Sequence, residues 1–362
     1  MLFGLIYRGW PSLLLSRLAW PQFALFQIGT AVLVAGKFDI DSRGSGTLAP
    51  QGSILIVLGT AVMFWMFAMS ATDVPAPQKG SIKCVMPVHK HYGSNEIVAR
   101  ILAAIPWSES DGVALTASLL FPFDQLHGRE LFATKEHSAR LNPEIGAHLL
   151  DIGSGIGGPA GYFASMLGCR VTGIELTPDF VIFANELTSF CGMSDQANFV
   201  LADAASIQFK ANTFDHAYCL YVGMNLPDKP AVLAECFRVL KPGATLIWTE
   251  VTSRSGVPHY PLPWSLTADG SHVDTSDTLC HHLSSAGFEV LTVEDETNAH
   301  LVLANRMKLS GKTPLVGQVQ ANEVVLGPDF VVRRQNYLKS LLEHLIASTL
   351  IVARKPQAEH VA

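Results

Sequence analysis

Hydrophobic and polar positions divide the chain into two unlike parts. Positions 18–36 and 44–72 carry no charged residue, and 54–71 (ILIVLGTAVMFWMFAMSA) is almost wholly apolar. About 20 consecutive apolar residues suffice to cross a bilayer as a helix. The pattern therefore predicts a transmembrane helical hairpin within 1–72, turned by Lys37, Asp39, Asp41 and Arg43 with Gly44 and Gly46. Arg8 and Arg17 precede it, and Lys79, Lys83 and Lys90 follow it; this positive bias places both ends in the cytoplasm. A cleaved signal peptide fits less well, because the apolar stretch is long and a second one follows. Buried core helices would show a polar face, which the second stretch lacks. The segment 73–90, containing VPAPQKG, reads as a linker.

Beyond position 90 the pattern alternates between helix and strand periods. Val98, Ile101, Leu102 and Ile105 share a helical face after Ser94, opening a helical region over 91–147. At 148–168 (HLLDIGSGIGGPAGYFASMLG) an apolar run meets Gly153, Gly155, Gly157 and Gly158, Pro159 stands in a first helical turn, and Gly168 closes the helix. The pattern is a strand, a tight glycine turn and a helix whose N-terminus faces the turn. Further strands follow at CRVTGIEL, NFVLAD, FDHAYCLY, ATLIWTE and FEVLTVED, with a last one at STLIVAR (348–354). Thr177-Pro178 opens a helix with Phe180, Ala184, Leu187 and Cys191 on one face, and Asp228 opens another with Leu233, Phe237 and Leu240 aligned.

Such alternation means a mostly parallel sheet, whose ligand lies beyond the carboxyl ends of the strands. Asp151, Glu175, Asp203, Tyr221 and Glu250 stand there. The glycines alone also fit a dinucleotide fingerprint. Asp151, directly ahead of them, would repel a pyrophosphate and suits a ligand carrying positive charge. Glu175 is placed to accept hydrogen bonds from ribose hydroxyls, and Asp203 lies where an exocyclic adenine amine would sit.

Composition adds exclusions. Of 362 residues 49% are hydrophobic and 15% charged, with a formal charge of −6, which argues against nucleic-acid partners. Six scattered cysteines, with no Cys-x-x-Cys spacing, read as buried thiols of a reducing compartment. The close pairs His89/His91 and His281/His282 lack spaced ligand partners, so no metal site is expected.

The stretches LLDIGSGIGG, VTGIEL, LADA, FDHAYCLY and ECFRVLKPGATL, in this order, resemble the class I S-adenosylmethionine-dependent methyltransferases. The segment 123–141 (FDQLHGRELFATKEHSARL) and Gly157-Gly158-Pro159 are similar to the sarcosine/dimethylglycine N-methyltransferase and tocopherol methyltransferase branch, although Gly161 stands where that branch commonly has arginine. The resemblance covers 92–293 and the last strand. It implies an α/β fold with a seven-stranded Rossmann-like sheet, its last strand antiparallel, over 148–356, behind helices at 91–147 that fold over the cofactor.

It implies S-adenosyl-L-methionine as cofactor, with Gly153, Gly155 and Gly157 approaching the methionine moiety, Asp151, Glu175 and Leu176 beside it, Asp203 and Ala204 at the adenine, and Tyr221 nearby. Methyl transfer from a sulfonium needs mainly alignment and water exclusion, so strong catalytic signatures are not expected. His127, Tyr221 and Glu250 are the candidates for base or acceptor anchor.

The insertion 294–347 is long enough for a lid or docking surface, with a helix at 330–346 that turns Val331, Tyr337, Leu341 and Leu345 inward and leaves Arg333, Arg334 and Lys339 for solvent. HYPLPW (259–264) either lines the acceptor entrance or packs a loop. The leading expectation is a membrane-anchored methyltransferase acting on a small amine or related metabolite. A lipophilic acceptor (quinone, tocopherol-like phenol or phospholipid headgroup) is the alternative, and a non-catalytic cofactor-binding membrane scaffold the rival from another class. A homodimer contact is left open.

Overall fold

A computed structural model of the chain describes residues 97–105, 115–309, 327 and 329–357. The elements in chain order are α1 (Ile97–Ala104), α2 (Ala117–Asp124), α3 (Glu130–Leu141), β1 (His148–Ile152), α4 (Gly158–Leu167), β2 (Arg170–Glu175), α5 (Pro178–Phe190), β3 (Ala197–Leu201), β4 (His216–Leu220), α6 (Lys229–Val239), β5 (Thr245–Ser253), α7 (Ser276–Ser285), β6 (Glu289–Asp295), α8 (Thr297–Leu309), α9 (Phe330–Leu342) and β7 (Ile346–Arg354). The seven strands form one sheet in the order β3-β2-β1-β4-β5-β7-β6. β7 runs antiparallel to both β5 and β6, while β1 to β5 are parallel. This is the expected Rossmann-like methyltransferase sheet.

The central strands read as continuous apolar runs because both faces are covered. The period of two then sorts their side chains between two cores. Leu149, Tyr218 and Ile247 join Phe163 of α4 and Leu341 of α9 on one face. Leu150, Cys219 and Trp248 join Leu233 of α6 and Leu279 of α7 on the other. Phe163 and Tyr218 stack with ring centroids 4.6 Å apart. The edge strand β6 is mostly exposed.

Helix boundaries follow local chemistry. Asp228 accepts the Ala231 N–H at 3.0 Å to start α6, and Thr275 accepts that of Thr278 at 3.1 Å to start α7. Gly168, left-handed with φ 66°, ends α4. Thr177 makes no side-chain cap bond; its backbone N–H donates to Glu175 Oε1 at 2.8 Å. In α9 the expected inward face holds for Tyr337 and Leu341, but Arg333 is buried too and pairs with Asp329. The five described cysteines are unpaired thiols.

The expectation of a membrane-anchored protein with its catalytic part in the cytoplasm is corrected. No helix among the described residues is long and apolar enough to cross a membrane. The longest have 13 residues, about 20 Å of helix against the ~30 Å of a hydrocarbon core. The expected hairpin, the linker and Ser94 lie outside the described residues.

Two glycines of α4 face opposite circumstances. A Cβ on Gly158 would lie 2.2 Å from the Asp124 carbonyl oxygen, whereas one on Gly161 would meet nothing within 4 Å. Gly158→Ala should therefore destabilise the protein by about 1–3 kcal/mol through overpacking. Gly161→Ala should stabilise it by roughly 0.5–1 kcal/mol through helix propensity. Urea unfolding midpoints of the two variants should move in opposite directions.

Candidate active site

The carboxyl ends of β1 to β4 open onto a single cavity of about 260 Å³. Gly153, Gly155 and Gly157 all have positive φ (70°, 56° and 88°), a conformation glycine adopts without steric cost, and they carry the chain sharply from β1 into α4. Glu175, at the end of β2, clamps this turn. Its Oε2 accepts the Gly155 N–H at 3.0 Å, and its Oε1 accepts those of Leu176 and Thr177 at 2.9 and 2.8 Å. At the end of β3, Asp203 Oδ1 accepts the Ala205 N–H at 2.9 Å, so the turn-forming role of Asp203 is realised while the residue also lines the cavity.

Asp151 is 2% exposed, and its Oδ2 has no hydrogen-bond partner. Burial pushes its carboxyl up to about 8. The Tyr218 hydroxyl opposes this rise and Glu175 adds to it, and a buried carboxyl oxygen without a partner is costly unless a donor joins it.

Of the expected site residues, Asp151, Gly153, Gly155, Glu175, Leu176, Asp203, Ala204, Tyr221 and His127 all line the cavity. Two do not. Gly157 lies outside the lining and instead admits the Phe199 ring, which a Cβ would meet at 2.6 Å. Glu250 is fully buried beneath the cavity. Its Oε2 accepts the Trp248 indole N–H at 3.0 Å, and Oε1 lies 3.7 Å from Lys229 Nζ. Burial, opposed by Lys229, raises its carboxyl to about 7. Glu250 is thus an internal ion-pair partner, and the expectation of a base or anchor there is corrected.

The segment between α2 and α3 covers the cavity with Leu126, His127, Gly128 and Arg129. His127 Nε2 stands 2.9 Å from Thr134 Oγ1, and its ring is nearly parallel to that of Tyr221, centroids 6.0 Å apart. Burial pulls the His127 imidazole down to about 4, so it is neutral at physiological pH. Arg129 and Glu130 both have positive φ, 60° and 50°. The Arg129 guanidinium pairs with Glu136 and Glu296, and His137 Nε2 lies 3.1 Å from Glu296. Glu296 immediately precedes α8, so this cluster joins the cover to the insertion.

The insertion supplies the far wall, with His300, Leu303 and Ala304 from α8 and Phe330, Arg334, Tyr337 and Leu338 from α9. Pro263 and Trp264 complete it, while Leu262 of the same HYPLPW segment packs in the core and Tyr260 against it. Arg334, expected in solvent, faces the cavity. Tyr221 closes β4 with φ 59°. Its hydroxyl lies 2.7 Å from both His300 Nε2 and Ser348 Oγ. His300, Ser348 and Tyr337 were not candidates from the sequence: they sit 79 or more residues from Tyr221 and form no local pattern. Among the described residues no group of His, Cys, Asp and Glu could hold a metal ion.

Residues 150–248 match the family model described as "Methyltransferase domain". Phosphoethanolamine N-methyltransferase 1 of Triticum aestivum is 29% identical over 197 residues, 54% of this chain and 38% of that protein. The sterol 24-C-methyltransferase of Saccharomyces cerevisiae is 31% identical over 191 residues, 48% of this chain and 49% of that one. The chain thus spans half or less of the length of these curated relatives. Among solved structures, the geranyl diphosphate C-methyltransferase of Streptomyces coelicolor, crystallised with S-adenosyl-L-homocysteine, superposes with a TM-score of 0.55. That match has 16% identity and covers 78% of this chain and all of that one (100%). Residues 150–248, from β1 into β5, thus carry the likeness to a methyltransferase domain that the motifs implied.

Glu296 titrates in a known direction. Burial raises its carboxyl, but His137 and Arg129 more than offset this and hold it below the ordinary 4.5. With its pKa depressed in the folded state, its stabilising contribution is fully present above about 4.5 and is lost as pH falls below that value. Glu296→Gln should lower the unfolding midpoint at neutral pH and flatten its decline on the acid side, as followed by circular dichroism.

Proposed function

We propose that this chain transfers a methyl group from S-adenosylmethionine to a small-molecule acceptor with an apolar body. The observation that carries the reading is a single cavity with two unlike ends. One end has the glycine turn, the vacant Asp151 oxygen, Glu175 and Asp203. The other is walled by Val251, Trp264, Leu303, Phe330 and Leu338. The first end fits the cofactor, because an orphaned buried carboxyl oxygen calls for a cation and the ammonium of a methionine moiety is one. Asp151 would hold that ammonium, Glu175 the ribose hydroxyls and Asp203 the adenine amine. When bound, the cofactor supplies an electrophilic methyl on positively charged sulfur.

The chain's own residues provide alignment and exclusion. The cover from Leu126 to Arg129 shields the cavity from water, and the wall of α8 and α9 holds the acceptor against Tyr221, which accounts for most of what methyl transfer requires. Apolar walls favour the lipophilic class of acceptor over a small polar amine. A second reading is an acceptor bearing an anionic group, as phosphoethanolamine does: Arg334 lines the cavity, as does an Arg129 that is already paired with Glu136 and Glu296.

Calorimetry with S-adenosylhomocysteine tests the cofactor half. The wild type should bind, and Glu175→Ala should bind about 10- to 100-fold more weakly, as expected for hydrogen bonds to a charged group. Unchanged affinity in the variant would remove the ribose assignment, and no binding by the wild type would overturn the function. Incubation with methyl-labelled cofactor and separate organic and aqueous extracts tests the acceptor half. Label in the organic pool supports an apolar acceptor; label only in aqueous phosphate esters selects the second reading; binding without turnover on any extract leaves only a cofactor-binding scaffold.

A further inference from the structure

We propose that Tyr221, His300 and Ser348 form a proton relay that serves a hydroxyl-bearing acceptor, Tyr221 taking the acceptor's proton as it passes its own to His300 Nε2. This rests on the methyl-transfer reading and goes beyond it, since it names the reacting atom of the acceptor and two residues that act on it.

The geometry is a closed triangle. Tyr221 Oη lies 2.7 Å from His300 Nε2 and 2.7 Å from Ser348 Oγ, and the last two are 3.0 Å apart. All three residues are buried, yet Tyr221 and His300 line the cavity. Tyr337 Oη stands 3.3 Å from His300 Nδ1. With Nδ1–H donating to Tyr337, Nε2 is left to accept the Tyr221 hydroxyl proton, and Ser348 donates to the Tyr221 oxygen. The Arg129 guanidinium also acts on that oxygen, so a cavity hydroxyl would meet its second lone pair beside this cation.

Two further observations show that the arrangement is built rather than incidental. Tyr221 holds φ 59°, a left-handed backbone that costs a non-glycine residue free energy and clusters at functional sites. The cover passes over the pair with bare backbone: a Cβ on Gly128 would lie 2.5 Å from His300 Cε1 and 2.8 Å from the Tyr221 ring.

The proton accounting closes. The acceptor oxygen gives its proton to Tyr221 Oη, and the Tyr221 proton moves to His300 Nε2. The acceptor oxygen forms its new bond to the methyl carbon, while the pair of the broken carbon–sulfur bond stays on sulfur. One positive charge passes from sulfur to the imidazolium, which Glu296 favours and Arg129, His127 and His137 oppose. Burial, with the Arg129 charge adding, holds His300 down at about 3, so its Nε2 is unprotonated and able to accept. A neutral amine attacks through its lone pair without first giving up a proton, so the triangle has a proton to take only from a hydroxyl acceptor.

The test uses the full chain without cofactor, titrated calorimetrically with para-propylphenol and with its methyl ether, which keeps the apolar body and removes the donor. The wild type should prefer the phenol by about 10-fold, one hydrogen bond. Tyr221→Phe, which keeps the ring, should abolish the preference, and His300→Gln should reduce it. With an oxygen acceptor found among the extracts, His300→Gln should lower kcat roughly 100-fold or more with KM changed less than about threefold. An equal affinity for phenol and ether in the wild type, an unchanged preference in Tyr221→Phe, or label appearing on nitrogen would overturn the relay. S-adenosylhomocysteine binding by the same variants separates the two readings: if it is intact while the preference is absent, the relay fails and methyl transfer stands.

Discussion

The Glu175 carboxylate accepts backbone N–H groups from Gly155 on one side and from Leu176 and Thr177 on the other, and so fixes the glycine turn against the start of α5. A carboxylate is acceptor-only and can serve several donors at once, which lets one side chain hold two loops. The positions of Asp151, the turn and Asp203 relative to each other follow from this clamp and from the parallel register of β1 with β2 and β2 with β3. Asp124 then reaches the first residue of α4 so closely that only glycine fits at position 158. The cover is thereby seated on the same turn that Glu175 holds.

Buried charge is handled in two ways on the two sides of β5. Lys229 and Glu250, with Asp274 at 2.8 Å from Lys229 Nζ, form an internal ionic group under the cavity floor. Breaking such a group from one side leaves an uncompensated charge and costs about 3–5 kcal/mol, so its strict burial is a structural commitment. Across the sheet, Arg129, His137 and Glu296 tie α3 to the start of α8. Near the second group stand the buried polar side chains His127, Tyr221, His300 and Ser348, with burial lowering the two imidazoles and raising the Tyr221 hydroxyl.

The sheet and its cofactor edge were legible in the sequence because their signals are local. A strand, three glycines and a helix start lie within 21 residues at 148–168, and β2 and β3 deliver Glu175 and Asp203 at or just past their carboxyl ends. Glu250 was misplaced for the same reason. Its position at the end of an apolar run resembles that of Asp151, but β5 continues to Ser253, so Glu250 lies inside the strand rather than at its edge. The acceptor wall was not legible. His300 and Ser348 meet Tyr221 only because β7 returns antiparallel beside β5 and α8 packs over it, an outcome of tertiary packing that no spacing encodes. The apolar N-terminal pattern carried the membrane expectation, and no helix among the described residues supports it.

The order of elements also assigns the two ends of the cavity to different stretches of the chain. β1 to β4 supply the cofactor end of the cavity, whereas α8 and α9, inserted between β6 and β7, supply most of its far wall. Substitutions in the insertion change that wall without touching the Glu175 clamp. Tyr221 is the point where the two halves meet: its backbone follows β4, held by the Tyr221 N–H to Thr249 carbonyl bond at 2.6 Å, and its hydroxyl bonds to His300 of α8 and Ser348 of β7. A left-handed residue there turns the ring away from the sheet and toward α8. The left-handed backbone at Tyr221 thus links the sheet edge that Glu175 holds to the wall that the insertion builds.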